Sequence, residues 1–281
     1  MRRPPSAPAP EAPSPRRERL DQALVRRGLV GSRPRAAAAV LAGTVTVDGV
    51  PARKPGQGVA PAAVLAVAVA PPFASRAGLK LSAALDRFGV AVDGLVCLDA
   101  GASTGGFTDC LLQRGAARVY AVDVGYGQLA WRLRTDPRVV VRERSNVRHL
   151  TAAEVPELVD LVTADLSFIS LAKVLPALTA RMRGDGPCGS MIPLIKPQFE
   201  AGPRSVGKGG VVADPAVHRE VLLLVGQQCA AAGRPVHALM PAAVRGAAGN
   251  REFVALLRPG PPAERLADLV ERAVAEAWNA S

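Results

Sequence analysis

Apolar positions first recur at helical spacing at Leu20, Ala23, Leu24 and Val25, and Gly28 stops the run. Ser32 is placed to cap a second helix from Arg33-Pro34-Arg35 to Leu41, with Gly43 just past its end. Thr44 to Val47 and Val50 then flank Asp48-Gly49, a hairpin signal between β-branched runs. Val64 to Val69 supplies another strand. Residues 19–70 thus read as helix, helix, hairpin, strand, a small α+β module.

From about residue 75 the period changes to helices alternating with buried strands. A helix carries Arg76 to Phe88, and Leu95 to Asp99 is a strand that leads into a Gly-rich loop. A helix follows through Phe107 to Gln113, and Arg118 to Val122 is the second strand. Val139 to Val141, Leu158 to Thr163 and Ser190 to Ile195 continue the series. Such alternation predicts an α/β, doubly wound, mostly parallel sheet. Val236 to Leu239 and Glu252 to Leu257 add a late strand pair at its edge, with a late antiparallel edge strand. Pro262 to Trp278 closes the chain as a helix.

Composition changes this picture in three ways. Residues 1–18 are rich in Pro, Ala, Ser and Arg, so they predict a disordered basic tail. The net charge of +11 over 281 residues favours a polyanionic partner, either nucleic acid or an anionic membrane surface. Cys97, Cys110, Cys188 and Cys229 show no C-x-x-C spacing, and histidines are few. No metal site and no disulfide framework are therefore expected, and a reducing cytoplasm is. No apolar run is long enough to span a bilayer, and Arg2-Arg3 leads into prolines instead of a signal sequence.

The loop Asp99-Ala100-Gly101-Ala102-Ser103-Thr104-Gly105-Gly106-Phe107 follows a strand and opens a helix. Glycines there let backbone approach a ligand at a helix N-terminus. A mononucleotide loop needs Gly-Lys-Ser/Thr, which is absent, and the dinucleotide pattern is broken at Ser103. The remaining acidic-x-Gly-x-x-x-Gly form suits S-adenosyl-L-methionine, which has no phosphate to cradle. Asp123, ending the second strand, can accept from ribose hydroxyls. Asn146, after the third strand, is a further candidate for the adenine or ribose.

Four polar residues complete the candidate chemistry: Lys80, Asp165, Lys196 and Glu252. In an open α/β sheet the carboxyl ends of strands face the ligand crevice, so Asp165 and Lys196 point towards the cofactor. The chain is dominated by Arg, and its only lysines are Lys54, Lys80, Lys173, Lys196 and Lys208. Arg cannot be deprotonated in a protein, whereas a buried Lys can act as a base. Lys196 would orient or deprotonate a ribose 2′-hydroxyl, Asp165 would hold Lys196, and Glu252 would orient Lys80 or the sugar. A structural Lys-Asp ion pair is the competing reading. Phe168, Phe199 and Phe253 either stack a target base or wall the crevice.

The N-terminal module resembles the S-four RNA-binding domain through Arg19-Leu20-Asp21, Leu24 to Leu29, Ser32-Arg33 and Val45 to Gly49. The whole chain from about residue 19 resembles the TlyA group, with an FtsJ-type methyltransferase domain. The motifs are Ser75 to Leu81, Leu98 to Thr108, Ala121 to Leu129, Ala164 to Ser170, Lys196 to Glu200 and Gly249 to Phe253. That resemblance implies a Rossmann-like methyltransferase sheet over residues 76–281, after a linker at 71–75. It also implies 2′-O-methylation of cytidines in ribosomal RNA within ribosomal subunits, by a monomer, with Lys80, Asp165, Lys196 and Glu252 as catalytic tetrad. Arg19, Arg26, Arg27, Arg33, Arg35 and Arg76 are the candidate RNA contacts. Ala70 to Ala74 lacks the linker Trp frequent in the group, and Ala242-Ala243-Val244 replaces its Ser-Pro-Ile. The other readings are a haemolysin-like membrane-active protein and a non-catalytic ribosome-assembly factor.

Overall fold

The computed structural model describes residues 17–279 except 42, 69–70, 185–188, 203–204 and 208. The expected tail as far as residue 16, Val69, Cys188 and Lys208 lie outside the described residues. The chain divides into two compact units, Met1–Ala70 and Pro71–Ser281.

In the first unit, β1 (Glu18–Arg19) leads into α1 (Leu20–Arg26) and α2 (Arg33–Leu41). Strands β2 (Val45–Val47), β3 (Val50–Pro51), β4 (Gly58–Val59) and β5 (Leu65–Val67) follow. β2 pairs antiparallel with both β3 and β5, and β1 pairs with β4. Asp48 and Gly49 both take positive φ at the hairpin turn, 51° and 80°, as its geometry requires. Leu20, Leu24, Val40, Val45 and Leu65 form the core. Each large apolar side chain buried there stabilises the unit by roughly 1.5–3 kcal/mol.

The second unit is a seven-stranded sheet between two helical layers. Its parallel strands are β6 (Val96–Ala100), β7 (Arg118–Val122), β8 (Val139–Arg142), β9 (Leu161–Ala164) and β10 (Ser190–Ile195). β11 (Val236–Pro241) and β12 (Phe253–Leu257) complete it in the order β11-β12-β10-β9-β6-β7-β8. The late antiparallel strand is β12, and it lies one place in from the edge, between β10 and β11. Every residue of β10 is buried, as expected of a strand covered on both faces. One face packs around Leu81, Leu85, Phe107 and Leu111, from α3 (Ala77–Phe88) and α4 (Gly106–Gln113). The other packs around Leu175, Leu222, Val225 and Val270. Those come from α6 (Leu175–Thr179), α8 (Pro215–Ala231) and α9 (Leu266–Asn279), while α5 (Trp131–Arg134) and α7 (Pro197–Glu200) are short turns at strand ends.

Candidate active site

The carboxyl ends of β6, β7, β9 and β10 open on one side of the sheet, and the Gly-rich loop is wedged between them. Gly101 has φ 85°, and its N–H donates to the Val122 carbonyl at 2.8 Å. A Cβ at Gly101 would stand 2.5 Å from the Asp165 carbonyl oxygen, so no side chain fits. Ser103 sits in the left-handed region at φ 47°, held by its N–H donating to Asp123 Oδ2 at 2.8 Å. Gly106 serves packing instead: a Cβ there would meet Ser75 Oγ at 2.2 Å and Ala77 Cβ at 3.0 Å. A Cβ at Gly105 would likewise run into the side chains of Leu133 and Leu129.

A cavity of about 480 Å³ follows this loop, lined by Gly101, Ser103, Asp123 and Asn146 and walled by Val124, Val147, Leu166 and Ile169. A second, of about 190 Å³, adjoins it, sharing Gly101, Ser103, Asp165 and Ser167 and adding Ala102, Thr104, Gly106, Phe107 and Lys196. Asp123 Oδ1 also accepts from the Gly125 N–H at 2.7 Å. Each carboxylate oxygen keeps a further lone pair for a ligand hydroxyl. Asn146 Oδ1 accepts from the Arg148 N–H at 3.0 Å, which leaves its exposed NH₂ for a ligand.

Asp99 departs from the expected ligand role. It is fully buried beneath the loop and lines neither cavity. Its carboxyl accepts from Thr108 Oγ1 at 2.6 Å and Thr163 Oγ1 at 3.3 Å. Burial pushes its pKa up to about 7 against those two hydrogen bonds. The strand's alternation turns this side chain under α4, away from the crevice.

The four candidate catalytic residues form two ion pairs. Lys80, on α3, contacts Glu252 Oε2 at 2.5 Å, and both are almost wholly buried. Lys196, directly after β10, contacts Asp165 Oδ1 at 2.7 Å and donates to Ser167 Oγ at 3.0 Å. Asp165 and Lys196 line the crevice, whereas Lys80 and Glu252 do not. Gln198, two residues after Lys196, donates from its Nε2 to Glu252 Oε1 at 3.3 Å. Sequence reasoning gave Gln198 no role, although it stands within the Lys196-Pro197-Gln198 motif. Gly246 was also missed. A Cβ there would lie 2.0 Å from Glu252 Oε1, and nothing in its local sequence announces that contact.

Phe168, with φ 64°, is 90% exposed beside the crevice, and its ring lies 4.9 Å from that of Phe199. Phe253 is core, edge-on to His218 at 5.5 Å. Among the candidate RNA contacts, Arg27 is turned inward, its guanidinium donating to the carbonyls of Ala63 and Pro61 at 2.5 and 2.9 Å. Its function is to tie α1 to that loop, so it offers little to a phosphate. Arg19 and Arg33 share the Asp21 carboxylate, and Arg26 pairs with Glu18. Arg35 is exposed with no side-chain partner among the described residues. Arg76, in the second unit, donates to the Arg245 carbonyl at 2.9 Å.

A sheet ordered this way, with a glycine loop, a strand-end acid and a Lys-Asp pair at its open end, defines the Rossmann-like methyltransferase class. The FtsJ-like methyltransferase family model matches residues 73–258, and the S4 domain model matches 18–65. A 16S/23S rRNA (cytidine-2′-O)-methyltransferase TlyA of Mycobacterium tuberculosis is 49% identical over 93% of this chain and 98% of its own. Hemolysin A of Brachyspira hyodysenteriae is 37% identical over 84% and 98%. A solved structure described as a hemolysin from Streptococcus thermophilus is 38% identical, with TM-score 0.71 over 94% and 96%. The chain belongs to the TlyA family of FtsJ-like methyltransferases.

Proposed function

We propose that this chain transfers a methyl group from S-adenosylmethionine to the ribose 2′-hydroxyl of cytidines in ribosomal RNA, acting on ribosomal subunits. The observation that carries the chemistry is Lys196 Nζ, which lines the smaller cavity and is held at 2.7 Å by Asp165, a residue of both cavities. The crevice suits the cofactor. Asp123 would take the ribose hydroxyls, and Val124, Val147 and Ile169 would flank the adenine. When bound, the sulfonium cofactor supplies an activated methyl group.

An ammonium has three N–H donors. Ser167 accepts one on Lys196 and Asp165 lies in ion-pair contact, so an N–H would remain to orient the attacking oxygen. In its neutral form the same amine takes the hydroxyl proton. Alignment of that oxygen with the methyl carbon supplies much of the rate. The buried Lys80–Glu252 pair would steady the segment after Lys196 through Gln198. Arg19, Arg33 and Arg35 offer guanidinium donors for RNA phosphates on the first unit. Phe168 offers an exposed ring face to the target base.

Labelled methyl groups should enter the ribosomal RNA of isolated subunits. Lys196→Ala and Asp165→Ala should each lower transfer by at least about 100-fold while the cofactor still binds. Full activity in either variant would sink the assignment.

A further inference from the structure

A third cavity, of about 360 Å³, is lined in part by Glu252. Four charged side chains line it: Arg245, Arg251, Glu252 and Glu276. Both carboxylates are committed elsewhere. Glu252 is paired with Lys80, and Glu276 accepts two bonds from Arg87 at 2.5 and 2.7 Å. Neither arginine has a carboxylate partner among the described residues.

Arg251 is fixed in place. Its Nε donates to the Ala277 carbonyl at 2.9 Å, and its guanidinium carbon stacks 3.9 Å from the Trp278 ring centroid. Its terminal nitrogens are left unengaged among the described residues. Burial, and then the Arg245 charge, hold this guanidinium below its usual range. Arg76 reaches the Arg245 backbone and brings a third guanidinium to the same loop. Like charges gathered around a cavity repel unless an anion joins them. Guanidinium forks match phosphate oxygens in geometry as well as charge.

We propose that this cavity seats a phosphate, and, resting on the function proposed above, that it takes an RNA backbone phosphate next to the target ribose. Glu252 is the link: it belongs both to the tetrad and to the cavity wall. The seat would therefore set the register of the strand against Lys196.

The test measures binding of the full chain to ribosomal subunits over a salt series. Arg245→Gln should reduce the slope of log K against log salt by about 0.7–1, the loss of one phosphate contact. Arg245→Lys should keep most of that slope. Arg251→Gln should act in the same direction, read together with its melting temperature because it also loses the Trp278 stack. Cofactor affinity should not move. Inorganic phosphate, titrated at constant ionic strength, should displace RNA from the wild type more readily than from Arg245→Gln. An Arg245→Gln chain with both its slope and its inorganic phosphate binding equal to wild type overturns the proposal. Loss of inorganic phosphate binding with the RNA slope intact overturns the RNA assignment in favour of a free phosphate. A wild-type chain that fails to bind ribosomal RNA overturns the proposed function itself.

Discussion

Glu252 is held from three directions. Lys80 takes one carboxylate oxygen, Gln198 donates to the other, and the bare Cα of Gly246 lies beneath it. A methyl group at Gly246 has nowhere to go without moving either the carboxylate or the loop. Gly246→Ala should therefore lower kcat on the order of 100-fold, the scale of a 1 Å misplacement, with cofactor affinity retained. Gln198→Met keeps the volume but removes the donor. A hydrogen bond to a charged group contributes about 1.5–3 kcal/mol, so kcat should fall about 10- to 100-fold. Unchanged kcat in both would show that the Lys80–Glu252 pair is structural. Asp99 makes a separate prediction. Its pKa rises from 3.8 to about 7 on folding, so between those values the folded chain holds more protons than the unfolded one. Stability should fall as pH rises through that window, by up to about 1.4 kcal/mol per pH unit from this group. Urea melts of wild type and Asp99→Asn from pH 4 to 7 should show the slope flattened in the variant. An identical slope in both would refute the assignment.

Elements were more legible than their contacts. Arg118 to Val122 and Ser190 to Ile195 have the bounds that the apolar runs predict. The glycine loop sits between strand and helix as its spacing requires. These are local facts of period and turn chemistry, which neighbouring residues determine. The insertion of β12 between β10 and β11 is a long-range pairing, and no local pattern encodes it. The site divides along the same line. Asp165 and Lys196 are legible because strand ends face the crevice, whereas Gly246 and Gln198 meet Glu252 only through tertiary folding. Arg27 and Asp99 show the converse. Both have the residue type a site needs, yet Arg27 caps backbone carbonyls and Asp99 faces two threonines. Residue type in a sequence does not report which face of an element is covered.

At the scale of the molecule, the +11 charge permits two polyanionic surfaces, ribosomal RNA and anionic lipid. Relatives carry names of both kinds, a ribosomal RNA methyltransferase and a hemolysin. Among the described residues, no helix is long and apolar enough to cross a membrane. Charge alone would hold the chain at an anionic surface only over a Debye length, about 8 Å at physiological salt. Such binding gives adsorption that salt reverses, without a breach of the bilayer. A crevice with a Lys-Asp pair at its floor has no use in that setting. The purified chain should therefore release no dye from anionic vesicles at physiological salt, at concentrations where it methylates ribosomal subunits. Lys196→Ala should abolish methylation and leave adsorption to vesicles at low salt unchanged, since one ammonium within the crevice adds little to the surface charge. Dye release by both proteins, with no methyl transfer by the wild type, would overturn the enzymatic reading and leave the crevice as a structural feature of a membrane-active protein.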